Sequence, residues 1–303
     1  MTKTALSFCA CAFLLLCALP AHAERTAHPL RDALAHKLAA KRTTADTPTP
    51  APQYRDVAYG TDAAQKFDIY LPEQPVSGAP VIFMVHGGGW RNGDKTNSNA
   101  VANKAAYFTA RGWIFISTNY RLLPAANPLE QAQDVGRAVA YAQQHAAQWG
   151  GDQNRFVLMG HSAGAHLVAL VSARPDLLTT QGGTAWLATV ALDSAGYDIE
   201  KVMQARHFKL YDEAFGTDTA LWHAASPAAQ LAAKMPPFLA VCSTQRTSAC
   251  EQARILRDRA QAFGGAFDIL PVDMKHGEIN AQLGVDNDYT ASVLDFLKRN
   301  AGL

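Results

Sequence analysis

Charge of one sign is not in excess here: 27 Lys and Arg stand against 26 Asp and Glu in 303 residues, a formal net charge of +1. With no basic run of the length that polyanion binding uses, nucleic acid is not an expected partner. Long hydrophobic runs are also scarce. The apolar segment through Phe8, Phe13, Leu14, Leu15, Leu16 and Leu19 is too short to span a bilayer, and no later stretch approaches the roughly 20 apolar residues a helical span needs. Cysteine is sparse, with five in the chain, three of them (Cys9, Cys11, Cys17) inside that first segment. No Cys/His cluster and no H-x-x-x-H pair is present, so no metal is expected, and nothing in the residues asks for a cofactor.

What the N-terminal segment offers instead is an address. Met1-Thr-Lys3, the apolar run and Ala21-His22-Ala23 have the order of a secretory signal peptide, residues 1–23, with cleavage expected before Glu24. A periplasmic or secreted protein follows, and Cys242 and Cys250 are then the pair that an oxidising compartment would join as a disulfide. Residues 24–53 are basic, carry Leu30, Leu34 and Leu38 at helical spacing, and turn Thr/Pro/Ala-rich from Thr43 to Pro52. They are expected to form a leader and linker outside the main fold.

Residues 54–303 have the composition of one domain with a sizeable core, the whole chain being 49% hydrophobic. Pro80 to Val85, Trp113 to Ser117, Phe156 to Met159, Ala188 to Leu192, Pro237 to Cys242 and Phe267 to Val272 are continuous apolar runs of strand length, as strands covered on both faces require. Two alternating strands precede them, Tyr54 to Tyr59 and Phe67 to Leu71. Helical patterns fall between, over Ala100 to Ala110, from Pro128 to Ala146, after Ser162, over Gln252 to Phe263 and over Tyr289 to Leu297. Strands alternating with helices predict a mostly parallel sheet with helices on both faces. An aromatic insertion at about 198–236, with Phe208, Tyr211, Phe215 and Trp222, is expected as a small cap.

The chemistry concentrates at Gly160-His161-Ser162-Ala163-Gly164, where the run from Phe156 breaks and an Ala/Leu/Val-rich helix begins. A serine on a sharp strand-to-helix turn needs small neighbours, and Gly160 and Gly164 supply them. Ser162 would then be a nucleophile, with the Ala163 N–H aimed at the same space. Gly87 and Gly88, at the end of the strand that closes at Val85, bring two more backbone donors for an oxyanion. His276 follows the final strand, where a base is expected in Ser, acid, His order. Trp90 and His161 are the candidate substrate contacts, although both also suit packing.

Together, His86-Gly-Gly-Gly-Trp-Arg-Asn-Gly-Asp-Lys95, Asn119-Tyr-Arg-Leu122, Gly160-His-Ser-Ala-Gly164 and Lys275-His-Gly-Glu278 resemble the α/β-hydrolase esterases related to hormone-sensitive lipase. The resemblance is greatest to their feruloyl-esterase-like and arylformamidase-like branch and covers roughly Tyr54 to Leu303. It implies the α/β-hydrolase fold, with Ser162 as nucleophile, His276 as base and the glycine loop as oxyanion hole; with the signal peptide, the expectation is an exported serine carboxylesterase hydrolysing small or aromatic carboxylic esters, its small-molecule partner, through an acyl-enzyme. An arylformamidase-like amide hydrolase is the alternative, and a non-catalytic binding protein on this scaffold a further one. One departure stands out: the family carries its triad acid in the loop after the strand ending at Cys242, and here Ser243 to Cys250 contains no carboxylate. Asp193, ending the strand after the nucleophile helix, is the candidate; Glu251 and Asp198 remain open, and Glu278 lies too near His276 in sequence to orient its ring.

Overall fold

A computed structural model describes residues 48–303. The signal-peptide segment and the leader up to residue 47 lie outside the described residues. The fold is an eight-stranded sheet of β1 (Tyr54–Ala58), β2 (Lys66–Tyr70), β3 (Ala79–Val85), β4 (Ile114–Thr118), β5 (Gly151–His161), β6 (Ala188–Leu192), β7 (Phe238–Ser243) and β8 (Phe267–Val272). Their spatial order is β1-β2-β4-β3-β5-β6-β7-β8. β2 runs antiparallel to both β1 and β4, and every pairing from β4 through β8 is parallel.

The all-apolar strands are explained by cover on both faces. Along β3, Val81, Phe83 and Val85 point into one apolar cluster with Ala132, Val135 and Val139 of α2 (Pro128–His145) and Leu167 and Val168 of α3 (Ala163–Ala173). Ile82 and Met84 point the opposite way, into a cluster with Val101, Ala105 and Phe108 of α1 (Ser98–Thr109) and Val293, Phe296 and Leu297 near the C-terminus. Alternation within one continuous apolar run thus feeds two cores, as the two-residue period of a strand dictates. Asn127 starts α2 with a capping box to Glu130 and Pro128 in the first turn.

Between β6 and β7 the insertion forms four short helices, α5 (Ile199–Gln204), α6 (Lys209–Phe215), α7 (Thr219–Ala224) and α8 (Pro227–Gln230), after the single turn α4 (Asp176–Thr179). The chain then closes with α9 (Thr247–Gln261), α10 (His276–Gln282) and α11 (Asp288–Ala301).

Two boundaries and one helix depart from the sequence reading in ways that bear on the site. β5 starts at Gly151 rather than Phe156, because its first residues are partly exposed and polar and carry no apolar signature. α9 starts at Thr247, so Cys250 lies within its first turn rather than marking its start. α10, beginning at His276, was not expected; its seven residues are too few for a periodic pattern to register. Sγ of Cys242 and Sγ of Cys250 are joined, with Cα atoms 5.1 Å apart, closing the β7–α9 loop as the pairing of thiols anticipates.

Candidate active site

The turn between β5 and α3 holds Ser162 at φ 56°, ψ −117°, a conformation that side-chain-bearing residues seldom adopt. What holds it there is backbone crowding on either side. A Cβ on Gly160 would lie 2.3 Å from the Gly164 carbonyl oxygen, and one on Gly164 would lie 2.2 Å from the Val85 oxygen. Each glycine of the pentapeptide is therefore fixed by close approach of main chain, and β3 is packed directly against the nucleophile turn.

From Ser162 a continuous set of hydrogen bonds runs inward. Ser162 Oγ lies 2.9 Å from His276 Nε2, and His276 Nδ1 lies 2.6 Å from Asp193 Oδ2. Ser162 follows β5, Asp193 follows β6 at φ 55° and His276 opens the helix after β8, so the C-terminal ends of three strands on one side of the sheet, β5, β6 and β8, deliver the group. Open α/β sheets bind ligands at this edge. Asp193 is wholly buried. Burial alone would raise its carboxyl, but hydrogen bonds from the His276 ring and the Ser243 amide, with the Arg246 guanidinium beside it, hold it below the usual carboxylate value. The Ser243 N–H donates to Asp193 Oδ1 at 2.8 Å while its hydroxyl donates to the Met274 carbonyl at 2.6 Å, tying β7 to the segment before His276.

The glycine loop abuts the serine. A Cβ on Gly87 would be 2.9 Å from Ser162 Cβ and 2.8 Å from the His161 carbonyl oxygen. Gly88, at φ 127°, forms a tight turn in which its carbonyl accepts from the Arg91 and Asn92 amides. The N–H groups of Gly87, Gly88 and Ala163 have no hydrogen-bond acceptor among the described residues, so all three are available to a ligand. The Asn119-Tyr-Arg motif braces this loop from behind. Asn119 Oδ1 accepts from the Lys95 amide, Tyr120 donates its hydroxyl to the His86 carbonyl at 3.0 Å, and Arg121 makes a two-point pair with Asp134.

The two expected substrate contacts, Trp90 and His161, are both buried. The Trp90 side chain is only 3% exposed, donating its indole N–H to His166 Nδ1 at 3.1 Å and packing on Tyr211 and Phe215. It anchors the insertion onto the loop instead of facing open space. His166 in turn donates from Nε2 to the Ala225 carbonyl at 2.8 Å, and burial pushes its pKa down to about 4, so one neutral imidazole links loop, nucleophile helix and insertion. His161 is 8% exposed and donates from Nε2 to the His276 carbonyl at 3.0 Å; burial and the neighbouring His276 push it down to about 3. It supports the backbone that carries His276.

The other acids lie elsewhere. Asp198 caps α5 by accepting from the Lys201 amide, and Glu278 accepts from the Lys275 amide across the first turn of α10. Glu251 lines a groove of about 550 Å³ with Lys201, Arg206, Phe208, Tyr211 and Arg246. Phe208, 72% exposed, is the one insertion aromatic standing clear of the packing. Among the described residues no group of three or more His, Cys, Asp or Glu is arranged to hold a metal ion.

Two neighbours of the site were missed in the sequence. Arg246 reaches Asp193 from the loop that lacks a carboxylate, and that missing carboxylate was the available signal. Lys104 is buried in α1 and donates to the Asn99 and Asn280 carbonyls, the second near the end of α10; Asn103 beside it donates to Ala281. Burial pushes the Lys104 ammonium down to about 7. A lysine inside an Ala-rich helix pattern reads as a solvated position, so no signal existed.

A family model described as BD-FAE matches residues 67–259. Esterase LipC of Mycobacterium tuberculosis is 29% identical over 231 residues, 69% of this chain and 55% of that protein. Isoprenylcysteine alpha-carbonyl methylesterase ICME of Arabidopsis thaliana is 25% identical over 236 residues, 71% of this chain and 54% of that protein. The chain thus spans about half the length of these curated relatives. Among solved structures, esterase B from Lactobacillus rhamnosus superimposes with a TM-score of 0.69 at 21% identity, covering 90% of this chain and 93% of that one. Esterase Est2 of Thermogutta terrifontis gives 0.67 at 23%, covering 84% and 93%. The fold is that of the α/β-hydrolases.

Proposed function

The chain belongs to the BD-FAE family, and on that premise we propose that it is an exported serine carboxylesterase that cleaves small or aromatic esters through an acyl-enzyme. The observation that carries the reading is the hydrogen-bonded series Ser162, His276, Asp193 beside three free backbone N–H groups. Ser162 Oγ attacks the ester carbonyl carbon as its proton passes to His276 Nε2. The carbonyl oxygen gains the negative charge and is held by the Gly87, Gly88 and Ala163 amides. Nε2 then protonates the departing alkoxide, leaving the acyl group on Ser162. Water, deprotonated by the same nitrogen, attacks the acyl carbon and frees the acid. Asp193 keeps the proton on Nδ1, so that Nε2 faces Ser162 as an acceptor, and stabilises the imidazolium as it forms.

The exposed Phe208, lining the groove beside Arg246, favours small or aromatic acyl groups. Export is supported by the signal-like N-terminus and by the Cys242–Cys250 disulfide; the first residue of the protein recovered from a periplasmic or secreted fraction should be Glu24. The activity is tested by p-nitrophenyl esters of rising chain length beside a feruloyl ester and N-formylkynurenine. We expect turnover of short-chain or feruloyl esters that Ser162→Ala abolishes. Turnover of N-formylkynurenine alone would transfer the protein to amide hydrolysis, and turnover of none would defeat the proposal.

A further inference from the structure

The β7–α9 loop that carries no acid delivers a cation to the same place. Arg246 Nη1 lies 2.5 Å from Asp193 Oδ2, 3.2 Å from the Asp193 carbonyl oxygen and 2.7 Å from His276 Nδ1. With the proton on Nδ1, as a base at Nε2 requires, both nitrogens are donors. The short Arg246–His276 distance is then the contact of two donors that share one carboxylate oxygen, not a hydrogen bond between them.

We propose that Arg246 is a positioning residue for this reaction, acting through Asp193; the inference rests on the reading of Ser162, His276 and Asp193 given above. The argument begins with Asp193. It is wholly buried, hangs from a residue at positive φ and reaches His276 from β6 instead of the β7 loop. A buried carboxylate is kept ionised only by partners that replace its lost water. The Ser243 amide occupies Oδ1, and the His276 N–H alone would be left on Oδ2. Arg246 supplies the missing positive charge and a second donor to Oδ2, while its bond to the Asp193 carbonyl pins the backbone of that residue. The carboxylate is thus held charged and aimed at Nδ1 throughout the cycle, including the stages when the imidazole is neutral.

The loop is constructed to present the guanidinium. Cys242 and Cys250 clamp its two ends eight residues apart in sequence, and Arg246 lies midway. Ser243 fixes its start on Asp193 and Met274, and the Arg246 amide donates to the Ser243 carbonyl. Arg246 costs something in return, since its charge opposes the imidazolium that forms as Ser162 gives up its proton. A site that retains it must gain more from a fixed, ionised Asp193 than it loses there.

The test is a double-mutant cycle on a p-nitrophenyl ester. Arg246→Met should lower kcat roughly 10- to 100-fold, the loss equivalent to one charge-assisted hydrogen bond, with KM little changed. In an Asp193→Asn background the same substitution should cost almost nothing, because the group it acts through is gone. Arg246 lines the open groove beside Lys201 and Phe208, so in Arg246→Ala the vacated space is reachable from solvent and millimolar guanidinium should restore part of kcat. Wild-type-like or faster turnover by Arg246→Met overturns the inference. So does a loss that persists undiminished in the Asp193→Asn background, or one that guanidinium leaves untouched, since either would mark a purely structural role. An inactive wild type would sink the esterase reading together with the inference. An active wild type with an unaffected Arg246→Met sinks the inference alone.

Discussion

Asp193 meets His276 from the end of β6, and the hydrogen bonds around it say what its side chain must do in the proposed reaction. Its Oδ2 receives the His276 N–H and its Oδ1 the Ser243 N–H, so both oxygens are committed as acceptors. Asp193→Asn would present an amide N–H to at least one of these donors and favour the opposite imidazole tautomer, with the proton on Nε2 facing Ser162. Steady-state kinetics on a p-nitrophenyl ester should show kcat lowered by about 10⁴-fold, with KM nearly unchanged. Retention of even a tenth of the wild-type rate would remove Asp193 from the mechanism. Asp193 was readable in the sequence as a candidate because a carboxylate closes an apolar strand. Its choice over Glu251 and Asp198 was not, since only the assembled sheet shows which strand ends are adjacent.

At the level of elements, the serine turn and the β7–α9 loop make opposite demands, one for space and one for closure. Gly164→Ala would force a Cβ to within 2.2 Å of the Val85 oxygen and 2.5 Å of the His86 oxygen, both main-chain atoms that cannot swing aside. Overpacking of this kind costs about 1 to 3 kcal/mol, and thermal unfolding should register it as a lowered Tm accompanied by lost activity. An unchanged Tm would show that the turn has slack. Replacing both Cys242 and Cys250 by alanine reopens the short loop and should cost about 2.5 kcal/mol by the chain-entropy argument, measured as a shift in urea midpoint. No shift would mean that Ser243 and Arg246 hold the loop unaided. The strands, the main helices and the serine turn were legible because apolar runs and glycine spacing record burial and crowding directly. The burial of Trp90 and His161 was not, because an aromatic ring beside a glycine loop has the same sequence signature whether it faces substrate or the underside of an insertion. Arg246 was hidden for a related reason: a guanidinium in a polar loop reads as solvated until the fold turns it inward.

Across the whole molecule, buried histidines tie stability to pH. His161 and His166 titrate near 6.5 when unfolded but are pushed down to about 3 and about 4 in the fold. Between pH 6.5 and 4 the unfolded chain therefore binds more protons than the folded one, so stability falls as the pH falls through that window. The slope approaches roughly 2.7 kcal/mol per pH unit near pH 5, where both rings are charged in the unfolded chain and neutral in the fold, and it eases toward pH 4 as His166 starts to titrate in the fold. Urea midpoints measured from pH 7 to pH 4 should decline steadily, and a flat profile would mean that these rings do not remain neutral inside the folded protein. At the sheet edge Ser162, His276 and Asp193 form one hydrogen-bonded group, and the account as a whole depends on that serine being activated. Its most direct test is treatment of the purified protein with a fluorophosphonate, followed by peptide mass spectrometry. One phosphonate on the peptide bearing Ser162, absent in Ser162→Ala and slowed by orders of magnitude in His276→Ala, is the predicted result. A wild-type protein that remains unlabelled, or that labels equally after Ser162→Ala, would contradict it.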